Sequence, residues 1–170
     1  MGRTRRGLLA GAAQAFADHG VRGTSMQAIA AAAGVAKGTL YNHFRTKDDV
    51  LAVLLRAELD RLSELVTPLP RNQALAALAD ELGAHPVLRR VADDEPEVLA
   101  GMVGVGGERW ADLTGRLAAA LRIGADPAEL AARWLLGVVL QPGRPVDRQR
   151  QAALLAAALA GETVDGSVQG

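Results

Sequence analysis

Apolar residues recur along this chain at the spacing of an α-helix, and they do not alternate as they do in a β-strand. The stretch after Thr46 is the clearest case, with apolar positions at Val50, Leu51, Leu54, Leu55, Leu59 and Leu62. Side chains at this spacing share one face of a helix, and that face is buried against other helices. Ala and Leu, which lose little side-chain entropy in a helix, dominate the composition. The pattern therefore predicts an all-α protein.

Residues that typically begin and end helices divide the chain into segments. Gly20 and Gly34 are expected to end helices, because glycine adopts the left-handed conformation at little cost. Thr24 is expected to cap the second helix and Thr46 the fourth, each in a capping box. The predicted helices cover approximately residues 4–19, 25–33, 37–44, 46–66, 72–83, 86–92, 95–102, 107–123, 127–141 and 148–161.

Two prolines, Pro68 and Pro70, mark a boundary in the middle of the chain, because neither can continue a helix. Beyond this boundary, Asp126 and Asp147 are expected to be the N-caps of the last two helices. We therefore predict three parts, which are a head over residues 1–47, a connecting helix over residues 48–66 and a body over residues 67–170.

Charge is unevenly distributed although the formal net charge is zero. Residues 1–47 carry seven cationic side chains and one anionic side chain, whereas the remainder carries twelve cations and eighteen anions. A basic head on an acidic body suggests that the head binds a polyanion. The alternative is that these are solvated charges segregated by chance.

Metal, cofactor and catalytic chemistry find no support in the sequence. The chain lacks cysteine, and His19, His43 and His85 are not at metal-ligand spacing. The glycine-rich run over residues 101–107 follows no strand and lacks the spacing of a nucleotide-binding loop. None of the serines lies in a nucleophile elbow. We therefore expect neither an enzyme nor a cofactor.

No apolar run reaches the ~18 residues that a membrane span needs. Arg5 and Arg6 precede an apolar stretch, as in a twin-arginine export signal. Gln14 and Asp18 interrupt that stretch, and the same residues fit an amphipathic helix. We therefore expect a cytoplasmic protein without a membrane segment.

Residues 24–47 have the anatomy of a helix-turn-helix, in which two short helices meet at a tight turn. Gly34 supplies the turn, and Val35 follows it. The apolar residues expected to pack inward are Phe16, Ile29, Val35, Leu40 and Phe44. The polar residues left on the third helix are Lys37, Thr39, Tyr41, Asn42 and His43.

The run Gly-Val-Ala-Lys-Gly-Thr-Leu-Tyr-Asn-His-Phe over residues 34–44, followed by Lys47, resembles the TetR family of ligand-responsive repressors. The resemblance covers about residues 4–60. It implies a three-helix DNA-binding head and a helical body that binds ligand and dimerises. One departure is Ala36, which stands where the family often has a serine or threonine cap.

The resemblance also implies contacts to double-stranded DNA. The implied contact residues are Thr24, Lys37, Thr39, Tyr41, Asn42, His43 and Lys47, with Arg3, Arg5 and Arg6 as an arm that enters the minor groove. Tyr41 packed against the protein, and His43 merely solvated, are the alternatives at those two positions.

A homodimer through about residues 127–160 is implied as well. Its apolar surface is expected from Leu130, Leu135, Val138, Val139, Leu154, Leu155 and Leu159, with Ala131, Ala152, Ala156 and Ala157 allowing close approach. An ordinary internal core is the alternative for these residues.

An unknown small-molecule effector is expected to bind in the body. The candidate lining residues are Leu82, His85, Met102, Trp110, Leu113 and Trp134, and plain core is the alternative for each. Arg133 is expected to pair with an acid across the dimer or to face the ligand. A DNA-binding accessory or architectural protein without an effector is the alternative function.

Overall fold

The computed structural model describes residues 3–104 and 107–160, apart from the side chains of residues 3, 4, 102 and 103. These residues form helices and no strands, as the sequence predicts. None of the helices in this part of the chain combines the length and the apolarity needed to cross a membrane. The helices are α1 (Arg3–Gly23), α2 (Met26–Ala32), α3 (Lys37–Tyr41), α4 (Lys47–Val66), α5 (Arg71–Ala84), α6 (Pro86–Asp94), α7 (Pro96–Val103), α8 (Glu108–Leu121), α9 (Ala125–Leu140) and α10 (Pro145–Ala160).

The capping box predicted at the start of α4 is confirmed. The amide of Asp49 donates to the Thr46 hydroxyl at 3.1 Å, and the amide of Thr46 donates to the Asp49 carboxylate at 2.9 Å. These hydrogen bonds to Thr46 lower the pKa of Asp49 below its usual value. The start of α4 is therefore fixed by residues within one turn of it.

Three other predicted caps are wrong. Ser25, not Thr24, caps α2, because its hydroxyl accepts a hydrogen bond from the amide of Ala28. The helices α9 and α10 begin before Asp126 and Asp147, so both carboxylates lie inside the first turn. They still carry negative charge near the positive end of the helix dipole.

The buried apolar residues form two clusters. The first joins α1, α2, α3 and the start of α4 to α6 and α7, and it includes Phe16, Ile29, Leu40, Phe44, Val50, Val87, Val91 and Leu99. The second joins the end of α4 to α5, α8, α9 and α10. Helix α4 contributes to both clusters, so it connects the head to the body. The predicted domain boundaries stay a prediction. The head shares the first cluster with α6 and α7, which lie in the predicted body.

The inward-facing residues predicted for the helix-turn-helix are confirmed. Phe16, Ile29, Leu40 and Phe44 are buried, and Val35 is half-buried against the same cluster. Their burial turns the opposite side of α3 toward solvent.

Most residues expected to form a dimer surface are instead buried within the protomer. Leu135, Val138, Val139 and Leu159 are buried, since α9 packs on α5, α6 and α8, and α10 packs on α5. Ala131, Ala152 and Ala156 are buried as well. The large apolar side chains that α9 and α10 expose are Leu130, Leu140, Val146 and Leu154.

Candidate nucleic-acid interface and effector cavity

The turn between α2 and α3 depends on Gly34, which has a φ of 65°. Residues that carry a side chain rarely adopt this left-handed backbone conformation, whereas glycine does so readily. The amides of Gly34 and Val35 donate to the carbonyls of Ala31 and Ala30, each at 3.0 Å. The chain then enters α3 from Ala36, which has no side-chain cap, as expected from the sequence.

Helix α3 presents polar side chains to solvent on the side opposite its buried Leu40. Lys37 and Tyr41 are exposed and adjacent, with the Lys37 ammonium 5.6 Å from the centroid of the Tyr41 ring. Asn42 and His43 are also exposed, but they follow the end of the helix at Tyr41. The arrangement leaves a cation and a phenol hydroxyl, both groups that bind phosphates and base edges, directed outward.

Thr24 is not available for a phosphate contact. It is 3 % exposed, and its hydroxyl donates to the carbonyls of Ala15 and Gly20 at 3.0 and 2.5 Å. The expectation that its hydroxyl binds DNA is therefore wrong for this conformation. The side chain instead fastens the end of α1 to the start of α2.

Lys47 also has a structural position. Its ammonium donates to the carbonyls of Val21, Arg22 and Thr24 at 2.8, 3.1 and 3.2 Å. An ammonium has three donors, so all of its hydrogen-bonding capacity is used within the protein. In the structure without DNA these bonds join α4 to the end of α1, and a contact of Lys47 with a phosphate stays a prediction.

The basic residues near the N-terminus do not form an extended arm in the described structure. Arg5 and Arg6 are exposed, but they lie in the first turns of α1, which begins at Arg3. The side chain of Arg3 lies outside the described residues. Entry of these arginine side chains into a minor groove stays a prediction.

Glu95, which the sequence analysis did not select, joins the body to the head. Its carboxylate is buried between α6 and α7, and it accepts hydrogen bonds from the amides of Val21 and Arg22 at 3.0 and 3.1 Å. Gly20 makes room for it, since a Cβ on this residue would clash with the carboxylate. The partners lie more than seventy positions apart in the chain, so no local pattern indicates the contact.

The body contains an apolar cavity of about 150 Å³, which is lined by residues of α4, α5, α6, α7, α8 and α9. Among its lining residues are Leu62, Leu82, Leu88, Leu99, Trp110 and Leu113. Leu82, Trp110 and Leu113 were predicted to line a ligand site, and they line this cavity. Their binding of an effector stays a prediction.

Among the residues whose side chains the structure describes, His85 and Trp134 are the two candidate ligand residues that are not in the cavity lining. The imidazole of His85 accepts a hydrogen bond from the amide of Leu88 at 3.3 Å and so caps α6. Burial lowers the pKa of His85 below its usual value, which favours the neutral ring that can accept this bond. The Trp134 indole donates to Gln151 at 3.2 Å. The side chain of Met102 lies outside the described residues.

Arg133 pairs within its own helix in the single protomer, and a partner across a dimer or a ligand stays a prediction. Its guanidinium lies 2.6 Å from the Glu129 carboxylate and 5.6 Å from the centre of the Trp110 ring. Hydrogen bonds from Arg133 and Trp110 lower the pKa of Glu129 below its usual value. Arg133 and Glu129 thus hold the outer edge of Trp110.

Comparison with known proteins shows that the head is similar to a family of bacterial regulatory proteins. The sequence model described as "Bacterial regulatory proteins, tetR family" matches residues 8–54. The HTH-type transcriptional repressor KstR2 from Mycobacterium tuberculosis is 40% identical over 91 residues, which are 48% of this chain and 46% of that protein. The repressor AcnR from Corynebacterium efficiens is 27% identical over 131 residues, which are 77% of this chain and 56% of that protein. The chain thus spans about half the length of the curated relatives that it matches.

Solved structures share the whole fold. GusR from Salmonella enterica has a TM-score of 0.68 at 21% identity, with 93% of this chain and 94% of that chain covered. A TetR-family transcriptional regulator from Pectobacterium atrosepticum has a TM-score of 0.65 at 22% identity, covering 95% and 94%. Both curated relatives are named as HTH-type transcriptional repressors, the class of protein that the sequence resemblance implies. The N-terminal helix-turn-helix of this chain is thus similar to the TetR family of bacterial regulatory proteins over residues 8–54, and the helical body behind it shares the fold of TetR-family structures.

Proposed function

We propose that this protein is a cytoplasmic transcriptional repressor that binds a palindromic DNA operator as a homodimer and is released by a small-molecule effector. The observation that carries the proposal is the exposed polar face of α3, formed by Lys37, Tyr41 and the two residues that follow them. This face lies on the part of the chain that holds the excess of positive charge. The repressor names of KstR2 and AcnR support the same function.

In this proposal α3 enters the major groove, which admits an α-helix and presents a distinct pattern for each base pair. Lys37 binds a guanine edge or a phosphate, and Tyr41 and His43 bind the backbone. Thr39 is half-buried, so it contributes at the edge of the interface. Asn42 follows the helix and is proposed to reach an adenine.

The dimer is proposed to form through the outer faces of α9 and α10. Leu130 is 50 % exposed and Leu154 is 66 % exposed, so both would be covered by a partner. Ala157, which is also exposed, would allow the helices to approach closely. Two heads related by a two-fold axis then contact two half-sites of a palindrome.

The proposed effector acts through α6 and α7. Leu88 on α6 and Leu99 on α7 line the cavity, and Glu95 between these helices binds the end of α1. A ligand that prefers a shifted position of α6 and α7 would displace the head and favour the form that does not bind DNA. A hundredfold loss of operator affinity needs about 2.7 kcal/mol of coupling between the two sites.

Selection of binding sites from random duplex DNA tests the function. The purified full chain is expected to enrich one palindrome whose half-site centres lie about one helical turn, or ~34 Å, apart. Sequences of the same composition in shuffled order are the control, and the chain should bind them far more weakly. Enrichment of no sequence, or of a site without two-fold symmetry, would contradict the proposal.

A further inference from the structure

The cavity in the body is built almost entirely from hydrocarbon groups. Its walls come from Leu, Val, Ala and Trp side chains on α4, α5, α6, α7, α8 and α9. Beyond these, the lining holds Ser63 and Arg116. The one polar group of Trp110, its indole N–H, donates to Glu129 at 3.1 Å and is therefore already bonded. A charged or strongly polar guest would lose its hydration here without gaining partners.

The charges beside the cavity do not favour an anionic guest. Arg116 already binds two carboxylates, with Asp60 at 2.6 Å and Asp112 at 3.0 Å. This group of one cation and two anions has a net negative charge. A carboxylate or phosphate on the guest would have to displace Asp60 or Asp112, and it would be repelled by both.

We infer that the effector of this protein is a neutral, apolar molecule, which places about the volume of one aromatic ring in this cavity. The inference rests on the proposed function and adds the chemical class of the ligand. An engineered apolar protein cavity of ~150 Å³ binds benzene, and the volume here is about 150 Å³. A single hydroxyl on the guest can be met by Ser63, the one uncharged polar side chain in the lining.

Trp110 provides a direct signal for binding, because its indole lies in the cavity wall. The only other tryptophan, Trp134, does not line the cavity. The full-length Trp134→Phe variant therefore reports on the cavity through one fluorophore. We expect toluene to change its emission saturably and to raise the thermal midpoint of unfolding. Benzoate, which has nearly the same shape but carries a charge, should bind more weakly than toluene by a factor of about ten or more.

Two variants of the Trp134→Phe protein test whether the signal comes from this cavity. Ala120→Leu fills space in the lining and should abolish the toluene response. Its neighbour on α8, Ala119, is exposed, so Ala119→Leu is the matched control and should bind toluene normally. If Ala120→Leu fails to fold, Leu117→Ala enlarges the same cavity, and it should shift the preference from toluene to naphthalene.

The outcomes separate the ligand class from the function. Binding of benzoate as tightly as toluene, or of neither, would overturn the inference even if the protein binds an operator. A toluene response that Ala120→Leu leaves intact, with no change of preference in Leu117→Ala, would overturn it too. Saturable toluene binding that these variants alter supports the inference, whether or not toluene changes operator affinity. The effect of toluene on operator affinity is a separate measurement, and it bears on the proposed repressor function and not on the ligand class.

Discussion

At the scale of single residues, Glu95 is the carboxylate through which the body holds the head. It is 8 % exposed, and its oxygens accept hydrogen bonds from two consecutive amides at the end of α1. Lys47 binds the carbonyls of the same segment from the opposite element, α4. The end of α1 is therefore fixed by a carboxylate on its amides and an ammonium on its carbonyls. Charged groups make the stronger class of hydrogen bond to the backbone.

Replacement of Glu95 by alanine should lower the free energy of unfolding by about 2 to 3 kcal/mol, because the buried amide of Val21 and the partly buried amide of Arg22 lose their acceptor. Urea unfolding of the full chain measures this loss. Glu97→Ala is the control, since Glu97 forms an exposed ion pair with Arg22, and its loss should cost less than about 1 kcal/mol. Equal effects of the two substitutions would contradict the role assigned to Glu95.

At the scale of helices, the sequence predicts what neighbouring residues determine and misses what distant residues determine. The capping box of Thr46 and Asp49 and the turn at Gly34 are both local, and both are found where the pattern places them. Thr24 has the right residue type for a cap, but its hydroxyl donates to two carbonyls of α1, and the adjacent Ser25 caps α2. The family resemblance assigned Lys47 to DNA, and no local pattern indicates its carbonyl partners, which are more than twenty positions away.

The candidate sites follow the same division. The polar face of α3 is predictable because a five-residue helix that buries Leu40 exposes the side chains opposite to it, such as Lys37 and Tyr41. Leu82, Trp110 and Leu113 reach the cavity because they lie on the inner faces of long helices. His85 does not, since it is the cap of α6. Only the three-dimensional packing distinguishes these cases.

The missing cap of α3 gives a prediction at this scale. Ala36 has φ −65° and ψ 145°, which is the extended conformation of an N-cap residue, but its side chain cannot accept a hydrogen bond. Ala36→Ser should therefore raise the free energy of unfolding by about 0.5 to 1 kcal/mol in a urea titration. Ala31→Ser, at an exposed position inside α2, is the control and should be neutral or slightly destabilising. A loss of stability in Ala36→Ser would refute the assignment of the cap.

At the scale of the whole molecule, head and body share one apolar cluster, and the body leaves an apolar face without cover. Val87, Val91 and Leu99 of the body pack with the buried residues of the head, so movement of α6 and α7 must affect both parts. In one protomer, α9 and α10 expose four large apolar side chains to solvent. In the proposed dimer a second protomer covers part of this apolar surface.

The proposed dimer predicts the effect of charges on that face. The double variant Leu130→Glu and Leu154→Glu should be monomeric by size-exclusion chromatography with light scattering, because two carboxylates per protomer would be buried without partners. Leu65→Glu, at an exposed leucine on α4, is the control and should remain dimeric. A double variant that stays dimeric would exclude α9 and α10 as the interface.

The central claim is that the exposed face of α3 binds DNA, and the operator affinity of α3 variants tests it most directly. Fluorescence anisotropy on the selected operator should show losses of about tenfold or more for Lys37→Ala and for Tyr41→Ala, with native circular dichroism. Gln73→Ala, an exposed substitution on α5, should bind like the unaltered chain. Unchanged affinity in both folded α3 variants would contradict the account.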